Sequence, residues 1–165
     1  MPTSFSTAVK FTLEFEGGLV NHPNDPGGLT KHGISQRQYP SLNIRALTLE
    51  EARVIYRVDY WDEIGGDSLP PAVAFVLFDF AVNAGVSRAS KAVQRLVDVR
   101  VDGDIGPLTI AAINVRRTSW VTENILHARA RHYIKLVRSS PAFMSFIFGW
   151  EVRLLACAVR AGALL

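Results

Sequence analysis

Apolar side chains recur at a helical spacing near the start of the chain. The repeat is close to 3.6 residues and indicates a helix over 3–16, with Ser4 or Ser6 as its N-cap. Its apolar face consists of Phe5, Ala8, Val9 and Thr12, with Phe15 or Glu16 completing it. Glu16 therefore ends this helix on or near the face that turns toward the core.

Two further helical patterns occupy the middle of the chain. Thr48 and Glu51 form the Thr-x-x-Glu pattern of a capping box, which predicts a helix from Leu49 to about Tyr60. Another begins at the Pro70-Pro71 pair and runs to about Asn83. Because it is apolar nearly all round, we expect residues 71–84 to form a buried central helix.

The remainder of the chain is also helical in pattern. The predicted segments are Ser87 to about Val97, Pro107 to about Val115, Ser119 to Arg138 and Pro141 to Gly162. In the last segment an apolar stripe of Phe143, Phe146, Ile147, Trp150, Leu154 and Ala158 follows helical spacing. We interpret this stripe as a core-packing face, with an amphipathic membrane-active helix as the alternative.

The segment 17–35 differs from all of these. It contains five glycines and two prolines, and its Asn-Asp-Pro-Gly-Gly run supplies both a fixed φ and positive-φ positions. Turns and a small β-hairpin are expected here. The fold class is therefore mainly α, with one small β-element near 17–35.

Composition limits the class of protein. The 165 residues fit a single domain over 1–165, and 48% apolar types can form a real core. We expect no membrane-spanning helix, since no apolar run reaches roughly 18 residues, and we expect no signal peptide at the start. Cys157 is the only cysteine, which excludes an internal disulfide and fits synthesis in a reducing cytosol.

Charge is unevenly distributed along the chain. Residues 1–115 carry ten Lys and Arg against thirteen Asp and Glu, whereas residues 116–165 carry eight against two. The acidic front suggests a site built on carboxylates, and the basic rear suggests a polyanionic partner. Nucleic acid, anionic lipid and bacterial wall polymers all remain possible on charge alone.

Two carboxylates in the front half are candidates for acid–base chemistry. Partial shielding from water favours the protonated form of a carboxyl group, so Glu16 suits a general acid. A hairpin that brings Asp25 across a cleft from Glu16 would give the carboxylate pair that glycoside hydrolysis requires. The alternative is that Glu16 is a helix-end charge and Asp25 a turn residue.

Several ordered runs resemble the signature of glycoside hydrolase family 108, a family of bacterial and phage N-acetylmuramidases. The resemblance covers nearly the whole chain. The runs are Glu16 to Asn21, Asp25 to Ser35, Phe78 to Gly85, Val101 to Thr109 and Phe148 to Arg153. The third and fourth resemble the peptidoglycan-binding region of the family, and the fifth resembles its Gly-Trp-x-x-Arg ending.

The resemblance implies a lysozyme-like fold that cleaves the bond between N-acetylmuramic acid and N-acetylglucosamine. Glu16 matches the catalytic glutamate of the family. Asp25 and Thr30 are implied as its catalytic partners, in an order similar to the phage-lysozyme triad with the threonine one residue nearer. Residues 1–68 would hold the catalytic glutamate and hairpin, and 69–165 the peptidoglycan-binding part.

Three other polar residues are candidates for substrate contact. His32 flanks the expected cleft, while Asp79 and Asn83 lie one turn apart on the most apolar helix. Structural hydrogen bonding to a neighbouring loop is the alternative interpretation for Asp79 and Asn83. No His pair has metal-site spacing with a third ligand, and no nucleotide motif occurs, so we expect neither metal nor cofactor.

The sequence therefore predicts a muramidase that cleaves peptidoglycan and serves as a phage or prophage endolysin. We expect a monomer without stable membrane anchoring or nucleic-acid partner, which accumulates in the host cytoplasm until lysis. Two alternatives remain open. One is a lytic transglycosylase that uses a glutamate without water, and the other is a non-catalytic wall-binding or secretion-assisting protein.

Overall fold

The computed structural model describes residues 4–16 and 28–165. Seven α-helices and one two-stranded sheet occur within these ranges. The helices are α1 (Ser4–Phe15), α2 (Leu49–Tyr56), α3 (Pro71–Ala84), α4 (Val86–Val97), α5 (Pro107–Asn114), α6 (Thr118–Ser139) and α7 (Ile147–Gly162). The strands β1 (Thr30–Lys31) and β2 (Ile34–Ser35) pair antiparallel, with Thr30 opposite Ser35. Each predicted helix is present, with bounds that differ by a few residues.

The α3 helix is the centre of the fold. Ten consecutive residues from Ala72 to Ala81 are buried, because α1, α4, α6 and α7 pack around it. Pro71 occupies its first turn, where a missing backbone N–H costs nothing, and Gly85 ends it at a φ of 94°. The expected buried central helix is confirmed.

The helix that follows the hairpin begins with the predicted capping box. The Thr48 side chain accepts from the Glu51 backbone N–H at 3.2 Å, and Glu51 Oε2 accepts from the Thr48 N–H at 2.7 Å. The helix then widens into a π-helical turn over Arg57–Asp62, which places Trp61 in the core. The predicted helix to Tyr60 is thus α-helical only as far as Tyr56.

The β-hairpin turns at His32 and Gly33, which have φ values of 52° and 77°. Two consecutive positive values give a turn whose twist suits a two-residue hairpin, and glycine takes the second position without strain. The expected β-element is present at 30–35, while residues 17–27 of its predicted range lie outside the described residues.

The last helix departs from its predicted packing. Its buried residues are Arg153, Cys157 and Ala161, whereas Phe146 in the predicted core stripe is 56% exposed. The core-facing side is therefore rotated, because Arg153 finds anionic partners in the interior. A 3₁₀ turn over Pro141–Phe146 precedes α7. The two together, Pro141–Gly162, are long and apolar enough to cross a membrane, which corrects the expectation that no such segment exists.

Candidate active site

Glu16 follows the last residue of α1 and lies between α7 and the hairpin. Its Oε1 accepts a hydrogen bond from Nη1 of Arg153 at 2.6 Å, and its side chain is 22% exposed. Among the described residues this is the only hydrogen bond to the carboxylate. Oε2 has no hydrogen-bond partner among the described residues and lies toward the Gly33 turn.

The tip of the hairpin is in close contact with the same carboxylate. A Cβ built on Gly33 would lie 2.9 Å from both Cγ and Oε2 of Glu16, and closer still to the Tyr56 hydroxyl. The Tyr56 hydroxyl donates to the backbone oxygen of His32 at 2.9 Å, which holds the turn against α2. Gly33 thus gives the glutamate the space that a side chain would fill.

Aromatic side chains surround Glu16. Burial raises the pKa of Tyr56 and of Tyr60, and the negative charge of Glu16 raises both further. The ring of Phe15 lies beneath the guanidinium of Arg153, with its centroid 5.6 Å from Cζ. The Glu16 carboxylate is therefore partly shielded from water, which strengthens its interaction with Arg153.

Arg153 connects this site to the core. Its Nη2 donates to Oδ1 of Asp79 at 2.7 Å, and its Nε lies 3.2 Å from both oxygens of that carboxylate. Burial alone would lower the pKa of Arg153, but Asp79 and Glu16 outweigh it and raise that pKa. The arginine is therefore a fixed cation that joins α3 to the end of α1.

Asp79 is 0% exposed and has a second cationic partner. Nη1 of Arg129 donates to its Oδ2 at 2.6 Å, and the hydroxyl of Thr12 donates to its Oδ1 at 3.0 Å. Burial would raise the pKa of Asp79, but the charges of Arg129 and Arg153 hold it below its ordinary value. The expected substrate-binding role does not fit this position, because the carboxylate is fully buried and its contacts with the described residues are all internal.

Asn83 extends the same network. Its Oδ1 accepts from the hydroxyl of Tyr133 at 2.7 Å, and that hydroxyl accepts from Nε of Arg129 at 2.5 Å. The side chain is half-buried and links α3 to α6. The alternative interpretation of Asp79 and Asn83 as structural residues fits both positions, although their partners lie on helices and not on a neighbouring loop.

The two hairpin candidates occupy different surroundings. Thr30 is half-buried, and its hydroxyl donates to the Gly28 oxygen at 3.2 Å. His32 lines a groove together with Lys10, Glu14 and Arg53, and Glu16 does not line that groove. Asp25, the predicted catalytic partner of Glu16, lies outside the described residues, so its catalytic role stays a prediction.

The motifs alone did not reveal the ion-pair network, but one residue of the sequence indicated it. Thr12 and Arg129 are buried at 0% and 1% exposure, and neither was among the predicted site residues. A carboxylate in the most apolar helix requires a buried cation, so Asp79 itself was the signal that arginines on later helices turn inward.

Comparison with known proteins agrees with this architecture. The family described as glycosyl hydrolase 108 matches residues 9–85, and the family described as a predicted peptidoglycan domain matches residues 88–155. The solved structure of SagA from Brucella abortus is 33% identical, with a TM-score of 0.84 over 98% of this chain and 95% of that chain. The chain belongs to glycosyl hydrolase family 108.

Membership of family 108 confirms the mainly α, lysozyme-like fold class and the expected resemblance. It makes the protein a glycoside hydrolase that acts on peptidoglycan, with a peptidoglycan-binding region in its second half. The first match ends after α3, so the family 108 portion includes the buried helix that carries Asp79. No curated protein matched the chain.

Proposed function

We propose that the protein is an N-acetylmuramidase, which hydrolyses the β-1,4 bond between N-acetylmuramic acid and N-acetylglucosamine. The observation that carries this proposal is the arrangement of the Glu16 carboxylate. One of its oxygens is held by Arg153 at 2.6 Å, and the other lies at the Gly33 turn. A carboxyl group fixed through one oxygen can present a proton on the other.

In the proposed reaction Glu16 donates its proton to the glycosidic oxygen as the bond to the muramic acid carbon breaks. Positive charge develops on the sugar ring, and a water molecule adds to that carbon. Asp25 stabilises the charge or activates the water, and Thr30 positions the water or the aspartate. The proton of the water passes to Asp25 if that carboxylate is the base, or otherwise to the Glu16 carboxylate, and the product carries a reducing muramic acid end.

The position of Thr30 supports its part in this proposal. It lies in the two-residue strand that leads into the His32-Gly33 turn, and Gly33 contacts Glu16. The short hairpin therefore connects the threonine rigidly to the surroundings of the glutamate. A site on a strand is held more precisely than one on an irregular loop.

We further propose a biological role in host lysis, as a phage or prophage endolysin that stays in the cytoplasm until the membrane is breached. The rest of the proposal does not depend on this role. A wall-lytic enzyme of the same mechanism could serve any process in which the peptidoglycan is opened.

The test of the reaction compares Glu16→Gln with wild type in the release of dye from labelled sacculi. Loss of the general acid should lower the rate by at least about 100-fold. Glu14→Gln is a matched control, because Glu14 is exposed on the same helix and makes no described contact with Arg153. Equal rates for a folded Glu16→Gln protein and wild type would contradict the proposal.

Mass spectrometry of the digested peptidoglycan distinguishes hydrolysis from transglycosylation. Reducing muramic ends are expected from a reaction that uses water. Products dominated by 1,6-anhydromuramic ends would mean that the muramic acid 6-hydroxyl takes the place of water, which would exclude the hydrolytic mechanism. Asp25→Asn should lower the yield of reducing ends if the aspartate handles the water.

A further inference from the structure

A second concave region lies between α4 and α6, away from Glu16. Its apolar lining residues include Phe80, Ala92 and Ala128. Its lining also includes five cationic side chains, from Arg88, Lys91 and Arg95 on α4 and from Arg131 and Lys135 on α6. We call this region the cationic cleft. No aspartate or glutamate is among its lining residues in the described chain.

The cations of the cleft have no carboxylate partner among residues 4–16 and 28–165. Arg88 and Arg95 each use one Nη1 on a backbone oxygen of α3 or α4, at 2.5 and 3.2 Å. Those bonds orient the side chains but leave their charge uncompensated. Five like charges that face one cleft repel one another, so an anion bound there would relieve this repulsion.

The pKa of His132 is sensitive to the positive electrostatic potential of the cationic cleft. It lines the cleft, and its pKa lies below the ordinary histidine value because of burial and then because of the nearby charges of Arg88 and Lys135. The same residue packs against Phe80, with ring centroids 6.3 Å apart. An anion in the cleft would offset the two cations, so the titration of His132 offers a direct readout of occupancy.

The cations are arranged along the length of the cleft. Arg88, Lys91 and Arg95 follow i, i+3 and i+7 spacing, which places them on one side of α4 over about 10 Å at 1.5 Å per residue. Arg131 and Lys135 are one turn apart on α6. Two facing rows of cations fit a ligand that presents several separated anionic groups.

We propose that the cationic cleft binds the carboxylate groups of the peptide stems of peptidoglycan. This inference rests on the proposed function, since it takes the same polymer as ligand. All five cations lie within residues 88–155, the part of the chain that matches the peptidoglycan family. In peptidoglycan the lactyl carboxyl of muramic acid is joined to the stem peptide by an amide bond, which leaves the glycan uncharged. The anionic groups of this polymer are therefore on its peptides.

Binding of the soluble stem tetrapeptide, L-Ala-γ-D-Glu-diaminopimelyl-D-Ala, tests the inference without any cleavage step. Calorimetry gives the Kd, and NMR follows the ring resonances of His132 with pH. We expect the peptide to raise the pKa of His132. The double variant Arg95→Gln/Arg131→Gln should weaken binding about fivefold, the size expected for two exposed charge pairs.

The matched control is Arg100→Gln/Arg117→Gln. It removes the same two charges from exposed positions outside the cleft, so it should change the Kd less than twofold. An uncharged β-1,4-linked N-acetylglucosamine oligosaccharide is the glycan control, because strands stripped of their peptides expose free lactyl carboxylates. It should bind equally to wild type and to both double variants. An equal loss in the two double variants would overturn the inference, because net charge and not the cleft would then set affinity.

Two further outcomes would also overturn it. One is the absence of any tetrapeptide effect on His132, and the other is binding of inorganic polyphosphate with no binding of the peptide, which would indicate a phosphate-bearing polymer. Failure of the proposed function is separate. If wild type binds the tetrapeptide but releases no dye from labelled sacculi, the cleft stands and the muramidase proposal fails.

Discussion

Arg153 holds Glu16 and Asp79 at the same time, with 2.6 Å from Nη1 to the glutamate and 2.7 Å from Nη2 to the aspartate. One planar side chain thus fixes the candidate general acid relative to the most buried helix. The forked geometry of a guanidinium suits this double role, whereas a lysine ammonium offers a single point of attachment. The position of the Glu16 carboxylate is therefore set by the core.

The first prediction concerns this bridge. Arg153→Lys should keep the buried positive charge but lose one of the two attachments, so Glu16 shifts. We expect kcat for wall lysis to fall between about 10-fold and 100-fold, because a misplacement of about 1 Å costs on the order of 100-fold. Steady-state dye release from sacculi measures the effect.

Arg129→Lys is the control for that substitution. Arg129 also pairs with Asp79 in the interior but does not contact Glu16. Both variants should lose stability, whereas only Arg153→Lys should lose activity per folded molecule. Equal activity losses would mean that Arg153 acts through general stability alone.

A second prediction concerns the tip of the hairpin. Gly33→Ala adds a Cβ that meets Glu16 Oε2 at 2.9 Å and lies closer still to the Tyr56 hydroxyl, at a positive φ. The carboxylate must move, so we expect activity to fall at least about tenfold, together with a loss of about 1–2 kcal/mol in unfolding free energy. Kinetics and urea denaturation on the same preparation separate the two effects.

Gly28→Ala provides the comparison for Gly33. Gly28 has a similar φ of 69°, but an added Cβ meets nothing within 4 Å in the described structure. The backbone penalty should therefore be similar while activity falls much less. If the two alanine variants are equally impaired in lysis, conformational strain and not contact with Glu16 explains the effect.

The third prediction is that the free energy of unfolding decreases as pH falls, because the buried Asp79 carboxylate becomes protonated. Because the two arginines hold the pKa of this carboxyl below its ordinary value, its stabilising contribution is present above the unfolded-state pKa of about 3.9. The contribution is lost as pH falls below that value toward the folded-state pKa. Urea denaturation at several pH values between 7 and 2 measures the decline.

Asp79→Asn should remove the part of this acid sensitivity that belongs to the buried pair. It should also cost about 3–5 kcal/mol at neutral pH, since two buried guanidiniums lose their shared partner. Asp102→Asn is the exposed counterpart, whose carboxyl pKa is lowered chiefly by a hydrogen bond from Gln94. A wild-type pH dependence that persists unchanged in Asp79→Asn would contradict the assignment.

The fourth prediction concerns the capping box. Thr48→Ala removes the side chain that accepts from the Glu51 backbone at the start of α2. Loss of such a cap costs about 0.5–2 kcal/mol, and we expect a lower thermal midpoint with kcat nearly unchanged. Thr48→Ser retains the acceptor oxygen and should restore most of the stability, which differential scanning calorimetry can show.

Local signals in the sequence predicted most of the fold because helix starts and ends are encoded over a few residues. Pro71 and Pro107, together with the Thr48 cap, placed the starts of α3, α5 and α2 where they are observed. The orientation of α7 could not be obtained in this way. Hydrophobic periodicity treats Arg153 as a surface residue, and only the distant carboxylates explain why it is buried.

The basic rear of the chain shows the same limit. Its charge pattern predicted a surface for polyanions, yet Arg129 and Arg153 are internal. Three of the five cations of the cationic cleft lie on α4, within residues 1–115, where acidic residues outnumber basic ones. Charge summed along a chain does not reveal which helices will stand opposite each other, and that is a property of the tertiary packing.

Glu16 and Arg153 are separated by 137 positions in the chain. During synthesis the glutamate leaves the ribosome long before its arginine exists, and contacts of such high sequence separation form slowly because a long loop must close. A nascent chain therefore carries an unassembled site through most of its translation. If Glu16 acts as proposed, the enzyme becomes active only after α7 has docked and Arg153 holds the carboxylate, so the order of synthesis itself delays the onset of activity.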